Sequence, residues 1–140
     1  MNQSLDNLAK IGKLKAEAFS EKEFLGLARS AKRRLVDAGN QSLSAESRFD
    51  LAYNASHSYA LAALRFRGYR SENRSLVFQA LEHTAGISAS RWRVLSKCHD
   101  VRNLAEYEGH TDIDVRLLDD LLKIASELEA AVMALMPEKT

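Results

Sequence analysis

An all-α, up-and-down bundle of about five helices is the fold this sequence predicts. Among 140 residues there is one proline, Pro137, near the C-terminus, and there are only 6 glycines, so long helices can run unbroken. Apolar residues recur at three- and four-residue spacing, and no stretch alternates in the way a half-buried strand requires. Short turn signals separate these stripes, which favours antiparallel neighbours.

The first segment, residues 1–18, is predicted to be an amphipathic arm. Leu5, Leu8, Ile11 and Leu14 share one side, and Lys10, Lys13 and Lys15 lie between them. Such an arm packs on the body or on a partner, and a basic arm on RNA is the functional alternative. The bundle proper then covers residues 19–140. Ser20-Glu21-Lys22-Glu23 is a capping box that starts a helix, and Phe24, Leu27, Ala28, Ala31 and Leu35 are its buried stripe. Lys32-Arg33-Arg34 sits where positive charge favours the helix dipole, and Gly39-Asn40 ends the helix. Ser44 caps a long helix that runs to about Arg67. Phe49, Ala52, Tyr53, Ser56, Ala60, Ala63 and Leu64 form its main stripe, and only Asp50, Asn54, Ser58 and Arg65 leave it a polar strip. A helix this apolar is central or shared with a second subunit, and a homodimer is the expectation.

Gly68-Tyr69-Arg70-Ser71 breaks the chain. A shorter helix over 72–83 turns Leu76, Val77, Ala80 and Leu81 inward and closes at Ala85-Gly86. Ser88 caps the next helix, which runs from Ala89 to about Glu108 and ends at Gly109. Thr111 or Asp112 caps the last one. Its stripe of Leu117, Leu121, Ile124, Leu128, Val132 and Leu135 is core or a coiled interface, with no sign of a cofactor.

Composition narrows the function classes. Length predicts one domain with a single core. One cysteine, Cys98, excludes an internal disulfide. No apolar run is long enough for a membrane span, and Met1-Asn2-Gln3-Ser4 lacks the pattern of a signal peptide. The expected compartment is therefore the cytoplasm. The formal net charge of +1 conceals an asymmetry. There are 8 Lys/Arg against 4 Asp/Glu up to Arg34, 9 against 6 from Leu35 to Asn103, and 3 against 9 from Leu104 onwards. Any nucleic-acid surface would be local and built from the first two-thirds of the chain.

The stretch from Cys98 to His110 carries the most chemistry. On a helical projection Val94, Cys98, Val101 and Ala105 form a core stripe. Trp92, His99, Asn103 and Glu106 lie on a second face, with Arg102 on the flank between. That second face is covered by a partner, lines a site, or is solvated with Trp92 flat on a neighbouring loop. The run Arg102-Asn103-Leu104-Ala105-Glu106-Tyr107 resembles the HEPN superfamily. So do the helix around Arg48-Phe49-Asp50-Leu51-Ala52-Tyr53-Asn54-Ala55 and the Gly68-Tyr69-Arg70 that follows it. The resemblance covers the chain from about Ser20 to the last helix. It implies a small helical bundle, usually dimeric, and often a metal-independent ribonuclease of a bacterial toxin–antitoxin or RNA-processing type. The implied partners are RNA or a nucleotide, and an antitoxin or nucleotidyltransferase-type protein.

In that family an arginine, commonly followed by Asn, precedes a histidine by four to six intervening residues. The histidine would activate a ribose 2′-hydroxyl and the arginine would stabilise the phosphorane. Here the histidine positions hold Tyr107, Glu108 and Gly109, and His110 falls one residue beyond. The resemblance makes Arg102, Asn103 and Tyr107 the candidate catalytic residues, at or near a subunit interface. Tyr107 is a poor base because its ordinary pKa is about 10, so His99 and His110 are the candidate bases. The missing histidine favours binding without cleavage. The alternatives are a ribonuclease with an atypical base and a structural homodimer.

Antiparallel alternation adds a spatial expectation. The helices ending at Arg67 and near Tyr107 should finish at one pole, gathering Arg65, Arg67, Arg70 and Arg74 near Arg102, with Arg91 and Arg93 at the other. Clustered guanidiniums suit phosphate oxygens. Trp92 and Glu106 complete the candidate binding set. The other reading is a solvated basic turn paired to Glu72, Asp112 and Asp114. The histidines and Cys98 show no metal-ligand spacing, and no Gly-rich phosphate loop or Ser nucleophile motif is present.

Overall fold

In the computed structural model, which describes residues 3–109 and 112–136, the predicted all-α bundle is present, with one short β-ribbon added. The described elements are α1 (Gln3–Lys10), β1 (Lys15–Ala16), α2 (Glu21–Ala38), α3 (Ala45–Phe66) and β2 (Tyr69–Arg70). They continue with α4 (Arg74–Gln79), α5 (Leu81–Thr84), α6 (Ala89–Glu108) and α7 (Val115–Leu135).

Local chemistry sets most boundaries. Ser20 accepts from the Glu23 amide at 3.2 Å and Ser44 from the Ser47 amide at 3.1 Å, so both predicted caps form. Only half of the predicted capping box closes, because the Glu23 carboxylate pairs with Arg65 and Arg70 instead. Gly109 ends α6 in the left-handed region, at φ 84°, where a side chain would be strained. The last helix starts later than expected, at Val115. Asp114 is its cap and accepts from the Arg116 amide at 2.9 Å. Of the two expected caps, Asp112 lies two residues ahead of the actual cap, and Thr111 lies outside the described residues.

The helix expected over 72–83 is two short pieces. Asn73 caps α4, and a break at Ala80 separates it from α5. The ribbon was not anticipated either: Lys15 pairs with Arg70 and Ala16 with Tyr69 in antiparallel register. It ties the N-terminal segment to the turn after α3. Leu5 and Leu14 of that segment are buried in the same core as α2, α3 and α7.

Helix α3 is the centre. Ala52, Ala55, Ala60, Ala62 and Ala63 are fully buried and let neighbours approach on several sides. Its apolar girth is consumed within one chain, so it carries no argument for a second subunit.

Helix directions follow from the side-chain pairs. Helix α2 runs antiparallel to α3, with Glu23 on Arg65 at one end and the Arg48 Nε donating to the Ala38 carbonyl at 2.8 Å at the other. Helix α7 runs parallel to α3, since Tyr59 Oη donates to Glu129 at 3.2 Å while Leu51 and Ile113 line one cleft. Helix α6 runs antiparallel to both, through Arg102 with Asp50 and Arg91 with Glu127 at 2.6 Å.

The expected common pole for the ends of α3 and α6 is therefore corrected. The segment between them goes out and comes back. Arg74 Nη1 reaches Asn54 at 3.2 Å, far down α3, and Arg67 then donates to the Thr84 carbonyl at 3.0 Å near the end of α3. This return lets α6 start where α3 finishes. The end of α6 lies beside the start of α3.

Candidate functional site

The four predicted arginines separate. Arg65 was placed on a polar strip, yet it is 1% exposed. Its Nε donates to Glu23 at 2.7 Å, and its two Nη atoms donate to the Glu17 carbonyl at 2.8 Å and the Ala18 carbonyl at 2.5 Å. Arg70 pairs with Glu17 at 3.0 Å and with Glu23. The hydrogen bonds from Arg65 and Arg70 hold the Glu23 carboxyl below its usual range even though burial opposes this. Arg67 is spent on Thr84 and on the Phe66 ring, 5.2 Å from its centroid. These three brace the far end of the molecule. Their acidic partners are Glu17 and Glu23, not Glu72, Asp112 or Asp114.

Arg74 and Arg102 share one aromatic ring. The Arg102 guanidinium carbon is 5.2 Å from the centroid of the Tyr53 ring and that of Arg74 is 5.6 Å from it. Two cations on one buried ring repel, so each needs a local partner. Arg74 has Asn54. Arg102 lies between Asp50 at 3.6 Å and Glu106 at 3.5 Å, and its buried Nε has no hydrogen-bond partner among the described residues.

His99 occupies the centre of this cluster. Its Nδ1 is 2.7 Å from Tyr53 Oη, and its Nε2 is 3.1 Å from Asn103 Nδ2. An amide nitrogen only donates, so Nε2 accepts. The neutral ring then carries its proton on Nδ1 and donates it to Tyr53. Burial lowers the His99 pKa. Asp100 opposes this, and Arg74 and Arg102 add to it. The predicted neighbours His99 and Asn103 are thus brought together.

Tyr107 is not part of this cluster. It is 90% exposed and stands roughly 140° round the helix from Arg102, five residues on. Trp92 is in the first turn of α6, more than four turns from its end. There its Nε1 donates to Glu82 at 3.0 Å and Arg93 covers its ring. His110 lies outside the described residues. Cys98 is buried in the core, and burial pushes its thiol up to about 12.

Residues on α3 complete the cluster, and sequence reasoning did not place them in it. Tyr53 stacks on His99 with the rings 21° apart, and Phe78 meets both Tyr53 and His57 edge to face. His57 is pushed down to about 4, chiefly by burial, with the charges of Arg74, His99 and Arg102 adding. The signal was the run of Asp50, Tyr53, Asn54 and His57 at helical spacing on a helix with little other polarity.

Beside the cluster an open cleft of about 900 Å³ separates the first turns of α3 from the last turns of α6. Arg102 and Glu106 form part of one wall. Among the described residues no group of side chains is arranged to hold a metal ion, and no helix is long and apolar enough to cross a membrane. No family model, curated protein or solved structure matches the chain.

Proposed function

We propose that this chain is a HEPN-like binding module that engages a partner without ribonuclease turnover. One observation carries the proposal. The lone pair that His99 would use as a base, on Nε2, already accepts from Asn103, and Arg102 is held between Asp50 and Glu106. A general base needs a free lone pair within reach of the proton it removes, and a phosphorane needs an uncommitted cation. Here both groups are engaged within the chain.

The surroundings of Arg102 point the same way. Glu46, Asp50 and Glu106 line the cleft with it, and a cleft rich in carboxylates repels a phosphodiester. The partner of such a module is a protein, of the antitoxin or nucleotidyltransferase type that the family resemblance implies. Self-association, where it occurs, would use the outer face of α6, on which Leu104 and Tyr107 are exposed. A specific observation keeps the metal-independent ribonuclease as the second reading. Asn103 is exposed and able to swing off His99, and the unpartnered Nε of Arg102 lies one turn away.

The test is cleavage of single-stranded and structured RNA in excess EDTA by the parent, Arg102→Ala and His99→Ala proteins, with helicity checked by circular dichroism. The expected result is equal background from all three. Cleavage by the parent that a folded Arg102→Ala variant loses would overturn the binding reading and establish the nuclease.

A further inference from the structure

The last turns of α6 have no core of their own. Cys98 is the last buried residue of α6, and every later one through Gly109 is half-buried or exposed. The cleft beneath them has an apolar floor made by Leu43, Phe49, Leu51, Ala105 and Ile113. Of these, Leu43 stays 37% exposed. Glu46, Asp50 and Glu106 line the cleft as well, and Arg102 is the one cation among its described lining residues. The chain bordering the cleft is acidic too: Glu106, Glu108, Asp112 and Asp114 all precede the next cation, Arg116.

An apolar trough edged by carboxylates selects its occupant on two counts. The floor asks for branched or aromatic side chains at the spacing of one helix face, because burying them is what drives association. The rim asks for positive charge and rejects acidic or polyphosphate chains. A simple polyamine satisfies the rim but offers the floor only a thin methylene chain. We propose that this cleft is the docking site for an amphipathic helix of a partner protein that carries Lys or Arg on its polar face and Leu-type residues on the other. This inference rests on the reading that this end of the molecule binds rather than cleaves.

The experiment uses the full chain and a fluorescent synthetic 18-residue helix with leucines on one face and lysines on the other, followed by anisotropy at physiological salt. The comparison probes are the same helix with glutamates for lysines, an oligolysine without leucines, and spermidine as competitor. The lysine–leucine helix is expected to bind, and Glu46→Lys combined with Glu106→Lys is expected to weaken it at least about tenfold, or 1.4 kcal/mol. Leu43→Asp should weaken it similarly, while Glu72→Lys, away from the cleft, leaves binding within twofold. Equal binding of the glutamate helix, or indifference to the cleft variants, overturns the proposal. Binding of oligolysine or spermidine as tight as that of the amphipathic helix overturns it in favour of simple cation binding. A dimer in sedimentation equilibrium that Leu43→Asp dissociates overturns it in favour of a second copy of the chain. RNA cleavage measured on the same samples separates the two readings. Cleavage lost with Arg102→Ala sinks the binding module, whereas no peptide binding and no cleavage sinks only the docking site.

Discussion

His57 shows at the scale of one residue what burial beside two arginines does. In the unfolded chain its imidazole takes a proton near the ordinary value of 6.5; in the folded chain it does so only near 4. The unfolded state therefore binds more protons between these values, and folding must lose stability as pH falls from about 6.5 toward 4. The loss attributable to His57 reaches no more than about 3 kcal/mol at pH 4, and solvent at its partly open edge reduces it. His99 adds in the same direction. Urea midpoints measured from pH 7.5 to pH 4 are expected to fall more steeply for the parent than for a His57→Gln variant. Parallel curves would show that the parent accommodates the imidazolium. A four-residue spacing puts His57 one turn from Tyr53 on a mostly buried helix, which is what the structure shows. It gave no sign of Arg74, because that contact depends on a returning segment whose path no local periodicity encodes.

At the scale of elements, the N-terminal segment and α3 illustrate where helical projection stops. Residues at the spacing of Asp50, Asn54 and Arg65 share one strip of α3, and near Asp50 that strip is open to solvent as expected. Three turns beyond Asn54 the chain at Glu17 and Ala18 crosses it. There Arg65 becomes the clasp, donating to two carbonyls of the segment and to Glu23 of α2. Arg is the residue for this task because its planar fork serves several acceptors at once. Arg65→Ala leaves the Glu23 carboxylate and two carbonyls without that donor. The expected cost is about 3–5 kcal/mol, read from chemical denaturation, and Arg65→Lys should recover only part of it. If Arg65→Ala cost less than about 1 kcal/mol, the clasp would be dispensable, and the β-ribbon with Leu5 and Leu14 would hold the segment. The caps of α2 and α3 were legible because a Ser followed by a helical stripe is local chemistry. The β-ribbon was not, because two residues on each side are too few to show alternation.

For the whole molecule, one miscounted connection reverses a pole. Treating residues 72–83 as a full bundle member made α3 and α6 parallel. The out-and-back path through α4 and α5 makes them antiparallel, and this moves Arg102 from a basic end to an acidic one. The functional consequence exceeds the structural one, since the same arginine beside Arg65, Arg67 and Arg70 would sit in a phosphate site. Stability should be distributed accordingly. Helix α3 packs on α2, α6 and α7 and is buried along its length, whereas α6 buries no residue fully after Cys98 and adds only the partly buried Val101 to the core. Local opening is cheapest where few apolar groups are buried. Native-state hydrogen exchange is expected to be slowest in the amides of Ala55–Leu64, near the limit of global unfolding. Residues 102–109 should exchange by local opening, at least about a hundredfold faster, a gap of about 2.7 kcal/mol. An occupant lying in the cleft would bury Ala105 and Glu106 and slow those amides selectively. Protection spread evenly over α6 in the free protein would instead mean that its last turns are already held, and would remove the physical reason for a docked helix there.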